Sequence, residues 1–228
     1  MTTRVRSALA LFVTCHAVGG TVVAQDWPQF LGPTRNGTYS GVSLADTWPE
    51  NGPTRLWERP VGAGFAGPAV VGERVILFHR VGAEEVVEAL VAESGETVWR
   101  YAYQTTYRDD FGFDEGPRSV PVVAEGRVHT YGAQGQLHTV DFETGEALWQ
   151  GDTHSRYGVR KGFFGAAGSP LVEAGRLVAN VGGSRGGIVA FDAATGDELW
   201  TATTDESSYS SPVGATFDGR RHALFFTR

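Results

Sequence analysis

Four carboxylates within seven residues are potential metal ligands: Asp109, Asp110, Asp114 and Glu115. Calcium prefers several oxygen ligands, and one compact loop can supply them. The spacing differs from that of an EF-hand loop, and acidic residues are also common in solvated loops. The sequence therefore favours an exposed loop here, with a Ca²⁺ site as the alternative.

Two histidines, His129 and His138, lie on either side of a glycine-flanked turn. A two-residue turn at Ala133–Gln134 would place them directly opposite each other on neighbouring strands. Two imidazoles form only part of a zinc site, because catalytic zinc usually has three protein ligands. We therefore expect two half-buried hairpin histidines rather than a metal centre.

Three further patterns match catalytic or nucleotide-binding motifs by letter only. The run Gly62–Gly67 has the spacing of a dinucleotide fingerprint, but Pro68 and a valine-rich run follow it instead of a helix. Asp110-Phe-Gly112 matches the metal-binding motif of a kinase, but the sequence has no accompanying β3 lysine or His-Arg-Asp motif. Ser169 does not lie in the Gly-x-Ser-x-Gly elbow of a hydrolase. We interpret all three as structural segments.

The segment Arg160–Gly165 carries Phe163 and Phe164 between two glycines. We expect these rings to pack between neighbouring structural units. The alternative is an anion or aromatic contact on the rim of the fold.

The elements that would position these residues form a repeat. Segments 89–99, 139–149 and 190–200 each place a hydroxyl residue and a glycine before a tryptophan at the same distance. The tryptophans follow one another at spacings of 42, 50 and 51 residues, counted from Trp57. A proline before a valine-rich run opens each unit, at Pro68, Pro121, Pro170 and Pro212.

Each unit is predicted to form four short strands. In the second unit these are roughly Val120–Ala124, Val128–Gly132, Leu137–Asp141 and Ala147–Gln150. A period of 40 to 51 residues with four strands is typical of a β-propeller blade.

The turn before each tryptophan is predicted to dock one blade on the next. Glycine adopts positive φ without strain, a side-chain oxygen accepts the amide protons of the turn, and the tryptophan buries an apolar face. In the first unit Val91 stands where the other two have aspartate. The predicted docking residues are Ser94, Gly95, Trp99, Asp141, Thr144, Gly145, Trp149, Asp192, Thr195, Gly196 and Trp200.

The pattern Ala-x-Asp-x-x-Thr-Gly-x-x-x-Trp resembles the docking motif of pyrroloquinoline-quinone (PQQ)-like propeller repeats. Residues 190–200 match it fully, 139–149 with one change and 89–99 with two. The run Asp26–Gly37 is similar to the start of secreted PQQ-like propeller proteins related to the outer-membrane assembly scaffold BamB. The resemblance implies an all-β propeller, with about three and a half blades present of an expected seven or eight.

Composition and charge agree with an all-β chain without a polyanionic partner. Glycine contributes 31 of 228 residues without a three-residue period, which excludes collagen, and the 41% hydrophobic share argues against a disordered chain. Acidic residues outnumber basic ones by 26 to 19, so nucleic-acid binding has little support.

The first 24 residues are predicted to be a signal peptide. Arg4 and Arg6 precede an apolar run that ends in small residues at Ala24. A lipoprotein anchored through Cys15 is the alternative. We therefore expect a periplasmic or secreted mature chain that contains no cysteine. Residues 25–54 would form a lead segment, and residues 55–228 a partial propeller.

The repeat also suggests a fragment truncated at its C-terminus, because no docking motif follows Pro212. A small complete four-blade propeller is the alternative.

Two functions are compatible with these features. The first is a non-catalytic, BamB-like binding or assembly scaffold with a protein or cell-envelope partner and no cofactor. The second, implied by the resemblance, is a PQQ-dependent alcohol or sugar dehydrogenase in which PQQ and Ca²⁺ lie near the propeller axis. Such enzymes often carry an adjacent cysteine pair, which the predicted mature chain lacks.

Overall fold

The computed structural model describes residues 25–228, whose regular secondary structure is β-strand apart from one short helix. The predicted signal peptide, residues 1–24, lies outside the described residues. Within residues 25–228, no helix has the length and apolar character needed to cross a membrane.

Three segments each fold into a four-stranded antiparallel sheet with strands in chain order. Blade 1 contains β1 (Ala69–Val71), β2 (Arg74–Val81), β3 (Glu84–Val91) and β4 (Thr97–Gln104). Blade 2 contains β5 (Val122–Ala124), β6 (Arg127–Tyr131), β7 (Gln136–Asp141) and β8 (Ala147–Asp152). Blade 3 contains β9 (Leu171–Glu173), β10 (Arg176–Gly183), β11 (Gly186–Asp192) and β12 (Glu198–Ala202). A partial fourth blade contains β13 (Val213–Phe217) and β14 (Arg220–Leu224).

A short helix, α1 (Thr153–Tyr157), connects blades 2 and 3 where no helix was predicted. Asp152 caps its N-terminus by accepting a hydrogen bond from the Ser155 amide, and Gly158 ends it at a φ of 69°.

The first strands of successive blades, β1, β5, β9 and β13, neighbour one another and form the inner edge of the assembly. This confirms the predicted propeller of about three and a half blades. The four strands predicted for the second unit agree with β5 to β8 within two residues at each end.

The core lies between the blades rather than within them. Alternate residues of a strand point to opposite faces, so each sheet presents one apolar face to each neighbour. Phe78 and Val87 of blade 1 pack with Val128 and Val140 of blade 2. The next interface joins Tyr131 and Leu137 to a larger apolar set from blade 3: Leu177, Ala179, Val181, Val189 and Phe191.

The two histidines do not face each other, so the predicted juxtaposition of His129 and His138 is wrong. The pairing of β6 with β7 places His129 opposite Thr139 and Thr130 opposite His138. The connecting loop is one residue longer than expected, with Gly135 at a φ of 85°. A one-residue change in register moves a side chain to the other face of the sheet.

Each histidine is instead buried in a different blade interface. The His129 Nδ1 lies 2.7 Å from Thr139 Oγ1, and burial lowers the pKa of His129 to about 4. The His138 Nδ1 lies 2.9 Å from the Tyr101 hydroxyl, and its ring stacks on Tyr103 at a centroid distance of 3.7 Å. Burial also lowers the pKa of His138 to about 4. Both side chains are therefore neutral parts of the core.

We predict that burial of His129 makes folding sensitive to acid. His129 binds a proton near pH 6.5 in the unfolded chain and near pH 4 in the folded chain. The free energy of unfolding therefore falls as the pH drops between these values. The loss attributable to His129 is about 3 kcal/mol. Urea unfolding of wild type and His129→Gln at pH 7, 6, 5 and 4 measures it.

The two free energies of unfolding should converge as the pH falls from 7 to 4. Parallel pH profiles for wild type and His129→Gln would contradict this prediction.

Candidate functional site

The predicted docking tryptophans of blades 1 and 2 each contact a turn of the following blade. The Trp99 Nε1 donates a hydrogen bond to the Phe142 carbonyl at 2.9 Å. The Trp99 ring covers Gly145 so closely that a Cβ there would lie 2.6 Å from the ring. Any side chain at this position would therefore push the blades apart.

The contact between blades 2 and 3 repeats this geometry. Trp149 donates to the Ala193 carbonyl at 3.0 Å, and its ring would lie 2.7 Å from a Cβ on Gly196. Trp57, from the segment before β1, makes the equivalent contact with Ala92 and Gly95 in blade 1.

Side-chain oxygens hold the shape of these turns. Asp141 Oδ1 accepts hydrogen bonds from the amides of Glu143 and Thr144, at 3.0 and 2.8 Å. The bond from the Thr144 amide is the main reason why the pKa of Asp141 lies below its usual value. Asp192 and Thr195 form the same turn in blade 3, where Asp192 Oδ1 accepts a hydrogen bond from the Thr195 amide at 3.0 Å.

Blade 1 differs at this turn. Val91 has no oxygen acceptor there, and Ser94 Oγ accepts from the Glu96 amide at 3.3 Å.

Trp200 is the exception among the docking residues. It pairs with Ala190 across β11 and β12, like the other two tryptophans in their blades, but 41% of its surface is exposed. Within residues 25–228 no further Thr-Gly turn receives it.

A β-bulge before each blade tryptophan was not predicted. The register between the third and fourth strands shifts by one residue at the same place in all three blades. Val98, Leu148 and Leu199 are the extra residues, and all three are exposed. A bulge increases local twist, which helps to turn the tryptophan toward the next blade.

The connections between blades lie at the other end of the strands, because strand direction alternates. Residues 105–121, 153–170 and 203–212 form this end, which we call the loop face.

The acidic cluster on the loop face has separate partners for its four carboxylates. Asp109 accepts from the Phe113 amide at 2.7 Å, and Asp114 accepts from the Gly116 amide at 2.7 Å. Asp110 binds Lys161, and Glu115 binds Arg108. These carboxylates bind loop amides and cations, and within residues 25–228 they do not gather as a metal site, so they belong to a hydrogen-bonded inter-blade loop.

Phe163 does not pack between blades, so that prediction is wrong for this residue. It is 58% exposed and lies 5.5 Å, between centroids, from Phe111 of the preceding inter-blade loop. Phe111 and Phe113 are 53% and 70% exposed. Only Phe164 is half-buried, against Tyr209 at 5.3 Å. The fold thus brings rings from two loops into one exposed cluster, Phe111, Phe113 and Phe163.

A cleft of about 370 Å³ adjoins this aromatic cluster. Two ion pairs tie the loops around it together: Lys161 to Asp110 at 2.5 Å, and Arg160 to Glu206 at 3.1 Å. Lys161 is the only lysine of the chain. The loop face therefore carries both aromatic and charged groups, and ion pairs connect its loops.

The axial side of the blades is covered by residues 26–37, which we call the strap. Trp27 pairs with Val70 of β1 through two backbone hydrogen bonds, at 2.7 and 2.9 Å. The Val123 amide of β5 donates to the Pro28 carbonyl at 2.8 Å. The Trp27 ring lies on Gly32, where a Cβ would be 2.8 Å from it.

Farther along the strap, the buried guanidinium of Arg35 reaches the carbonyls of Pro170 and Pro212, just before β9 and β13. The strap therefore contacts the inner edge of every blade described. Arg35 was not among the residues predicted from the sequence. The available signal was the dense run of Trp, Gln, Gly, Pro and Arg that forms the strap.

Ser169 also lies at this inner edge and has a structural role. Its hydroxyl accepts from the Val120 amide at 2.8 Å, and its amide donates to the Ser211 hydroxyl at 2.9 Å. The run Gly62–Gly67 leads into β1 and not into a helix, as predicted.

The described residues do not fit a PQQ–Ca²⁺ group at the propeller axis. The strap occupies the axial side of the inner strands, where the sequence resemblance placed that group. The carbonyls of Ser169, Pro170 and Pro212 already accept hydrogen bonds from the Arg35 guanidinium, whereas a Ca²⁺-bound quinone needs oxygen ligands directed at the cation. In residues 25–228, no three His, Cys, Asp or Glu side chains gather as a metal site.

The fold and these docking turns define a PQQ-like β-propeller. The chain belongs to the family described as outer membrane protein assembly factor BamB, whose model matches residues 43–220.

Two curated relatives are enzymes. The chain is 31% identical over 128 residues to quinohemoprotein alcohol dehydrogenase ADH-IIG of Pseudomonas putida, covering 54% of this chain and 17% of that protein. It is 28% identical over 120 residues to quinohemoprotein alcohol dehydrogenase of Comamonas testosteroni, covering 50% and 16%. The match thus spans about one sixth of each relative.

Two solved structures are similar to this chain, and the first of them shows the same fold. The match to the Comamonas testosteroni quinohemoprotein alcohol dehydrogenase covers 77% of this chain and 27% of that protein's chain, with a TM-score of 0.53 and 23% identity. The match to BamB from Moraxella catarrhalis covers 75% of this chain and 48% of that protein's chain, with a TM-score of 0.48 and 23% identity.

We predict that Trp149→Ala weakens the contact between blades 2 and 3. It removes a ring that covers Gly196 and leaves the Ala193 carbonyl without its donor. The expected cost is about 3 kcal/mol, the low end for a large aromatic, because part of the ring is exposed. Urea unfolding followed by circular dichroism measures it.

Trp200→Ala is the matched control, since it removes the same residue type from the same strand position. It should cost less than about 1 kcal/mol, because within residues 25–228 its ring covers no turn. Equal losses for both variants would show that docking on the turn contributes nothing.

Proposed function

We propose that this chain is an exported, non-catalytic scaffold that binds a protein partner of the cell envelope. The carrying observation is the contrast between the inner edge of the blades and the loop face. The chain's own strap hydrogen-bonds along the inner edge, whereas the loop face leaves phenylalanine rings uncovered.

Family membership supports this proposal, because the family description names an assembly factor. The predicted signal peptide at residues 1–24 supports export to the periplasm or the medium.

The loop face has the composition of a protein-binding surface. Phe111, Phe113 and Phe163 come from two different loops, so their exposure is a property of the assembled fold. The ion pairs of Lys161 and Arg160 border the rings. Aromatic residues inside a charged border are the usual arrangement of residues that dominate binding energy.

A second candidate function is a PQQ-dependent alcohol dehydrogenase. Its support is that both curated relatives are named quinohemoprotein alcohol dehydrogenases. Since the described residues do not form a PQQ–Ca²⁺ site, this function requires ligands from outside them.

Site-specific photo-crosslinking tests the scaffold proposal. A benzophenone amino acid replaces Phe163 on the loop face or Phe217, 52% exposed at the opposite end of the blades. After irradiation of cells that export the protein, position 163 should give a defined adduct with an envelope protein. Mass spectrometry identifies the adduct.

The adduct at position 163 should be lost when Phe111 and Phe113 are changed to serine, and position 217 should not give it. The same adducts at both positions, or an adduct that survives the serine changes, would contradict a loop-face partner.

A cofactor assay separates the two candidate functions. The purified protein is mixed with PQQ and Ca²⁺, and bound quinone and dye reduction with a primary alcohol are recorded. We expect neither uptake nor reduction. Stoichiometric uptake with dye reduction would overturn the scaffold proposal and support the dehydrogenase.

A further inference from the structure

The guanidinium of Arg35 is buried without a carboxylate in hydrogen-bonding contact. The residue is 4% exposed, and its Nε donates to the Gln29 side-chain carbonyl at 2.9 Å. Nη1 donates to the carbonyls of Pro212 at 2.8 Å and Ser169 at 3.4 Å, and Nη2 donates to that of Pro170. All four acceptors are neutral oxygens.

Such a charge is costly to bury, so the acceptors must compensate for lost water. Loss of hydration lowers the pKa of Arg35 to about 10, and the Glu173 carboxylate partly offsets this effect. Glu173 is itself bound by Arg221 of β14. The carbonyl groups therefore provide the direct hydrogen-bonding environment of the cation.

The carbonyls need a donor as much as the cation needs acceptors. Ser169 and Pro170 directly precede β9, and Pro212 directly precedes β13. These are innermost strands, and a buried carbonyl without a partner is destabilising. The carbonyls therefore form an acceptor site that spans blade 3 and the partial fourth blade.

The geometry favours a planar, forked donor. A guanidinium presents five N–H groups in one plane and can serve separate acceptors at once. An ammonium on a single flexible stem is a compact point charge that lacks this fork.

The strap holds Arg35 in an unusual backbone conformation. Leu31 and Arg35 have φ values of 57° and 53°, in the left-handed region that non-glycine residues seldom adopt. Gln29 fixes the strap from inside, since its amide nitrogen donates to the Pro33 carbonyl at 3.0 Å while its oxygen accepts from Arg35. This arrangement directs the guanidinium into the carbonyl site.

We propose that the carbonyls of Ser169, Pro170 and Pro212 form a guanidinium-binding site at the propeller axis. Arg35 is its intramolecular ligand, and filling this site joins blade 3 to the partial fourth blade. The inference is independent of the proposed scaffold function.

Chemical rescue tests the site. Thermal unfolding of wild type and Arg35→Ala is recorded with 0–20 mM guanidinium chloride at constant ionic strength set with sodium chloride. Arg35→Ala should lower Tm by roughly 10 °C, since it leaves several buried carbonyls unpaired. Guanidinium should restore part of this loss with a saturable dose response, while the Tm of wild type stays unchanged.

Two solutes and one variant serve as controls. Urea has a similar planar shape without the charge, and sodium chloride supplies a cation without the planar N–H donors. Neither should therefore raise the Tm of Arg35→Ala. Arg160→Ala removes a guanidinium whose side chain is 90% exposed, and it should neither lower Tm appreciably nor respond to guanidinium. Equal effects of urea and guanidinium, or an unchanged Tm in Arg35→Ala, would overturn the proposal.

Arg35→Lys keeps the test decisive if Arg35→Ala does not fold. The lysine variant keeps the charge and loses the fork, so its Tm should still fall by several degrees. A Tm equal to that of wild type would show that any cation satisfies the site, and it would overturn the assignment of a guanidinium site.

Discussion

Burial between blades is the constraint on which the other features of this propeller depend. A four-stranded sheet with strands of three to eight residues has two faces and cannot cover either by itself. Each blade therefore gives one face to each neighbour, and the same contact recurs: a tryptophan ring on a glycine turn. Because the ring leaves no space for a Cβ, this contact sets the distance between neighbouring blades.

The two ends of the strands have different tasks as a result. The docking turns are nearly identical in geometry, because each must receive the same ring. The inter-blade loops meet no such requirement, and they carry the acidic loop, the exposed phenylalanines and the ion pairs of Lys161 and Arg160. Across the inner edge, the strap meets strands that would otherwise leave carbonyls unpaired at the axis. Structural restraint is thus concentrated at the turns and the axis.

Much of the fold followed from local pattern. The spacing of Trp99, Trp149 and Trp200 predicted the blades, and alternating short runs predicted the strands of blade 2 within two residues. The histidine juxtaposition failed because strand register depends on loop geometry, and one extra residue before Gln136 moved His129 and His138 to opposite faces. The exposure of Phe163 was missed because its neighbour Phe111 belongs to a loop about 50 residues earlier.

The repeat and the all-β class could be predicted from the sequence, because they depend on periodicity and on residues with strong local preferences such as glycine and tryptophan. The surroundings of the inner edge and of the loop face, in contrast, depend on contacts between segments that are far apart in the chain. Arg35 lies more than 130 residues before its acceptors at Ser169 and Pro170. No local pattern marks three backbone carbonyls as a binding site, because they gain that character only when two blades and the strap meet.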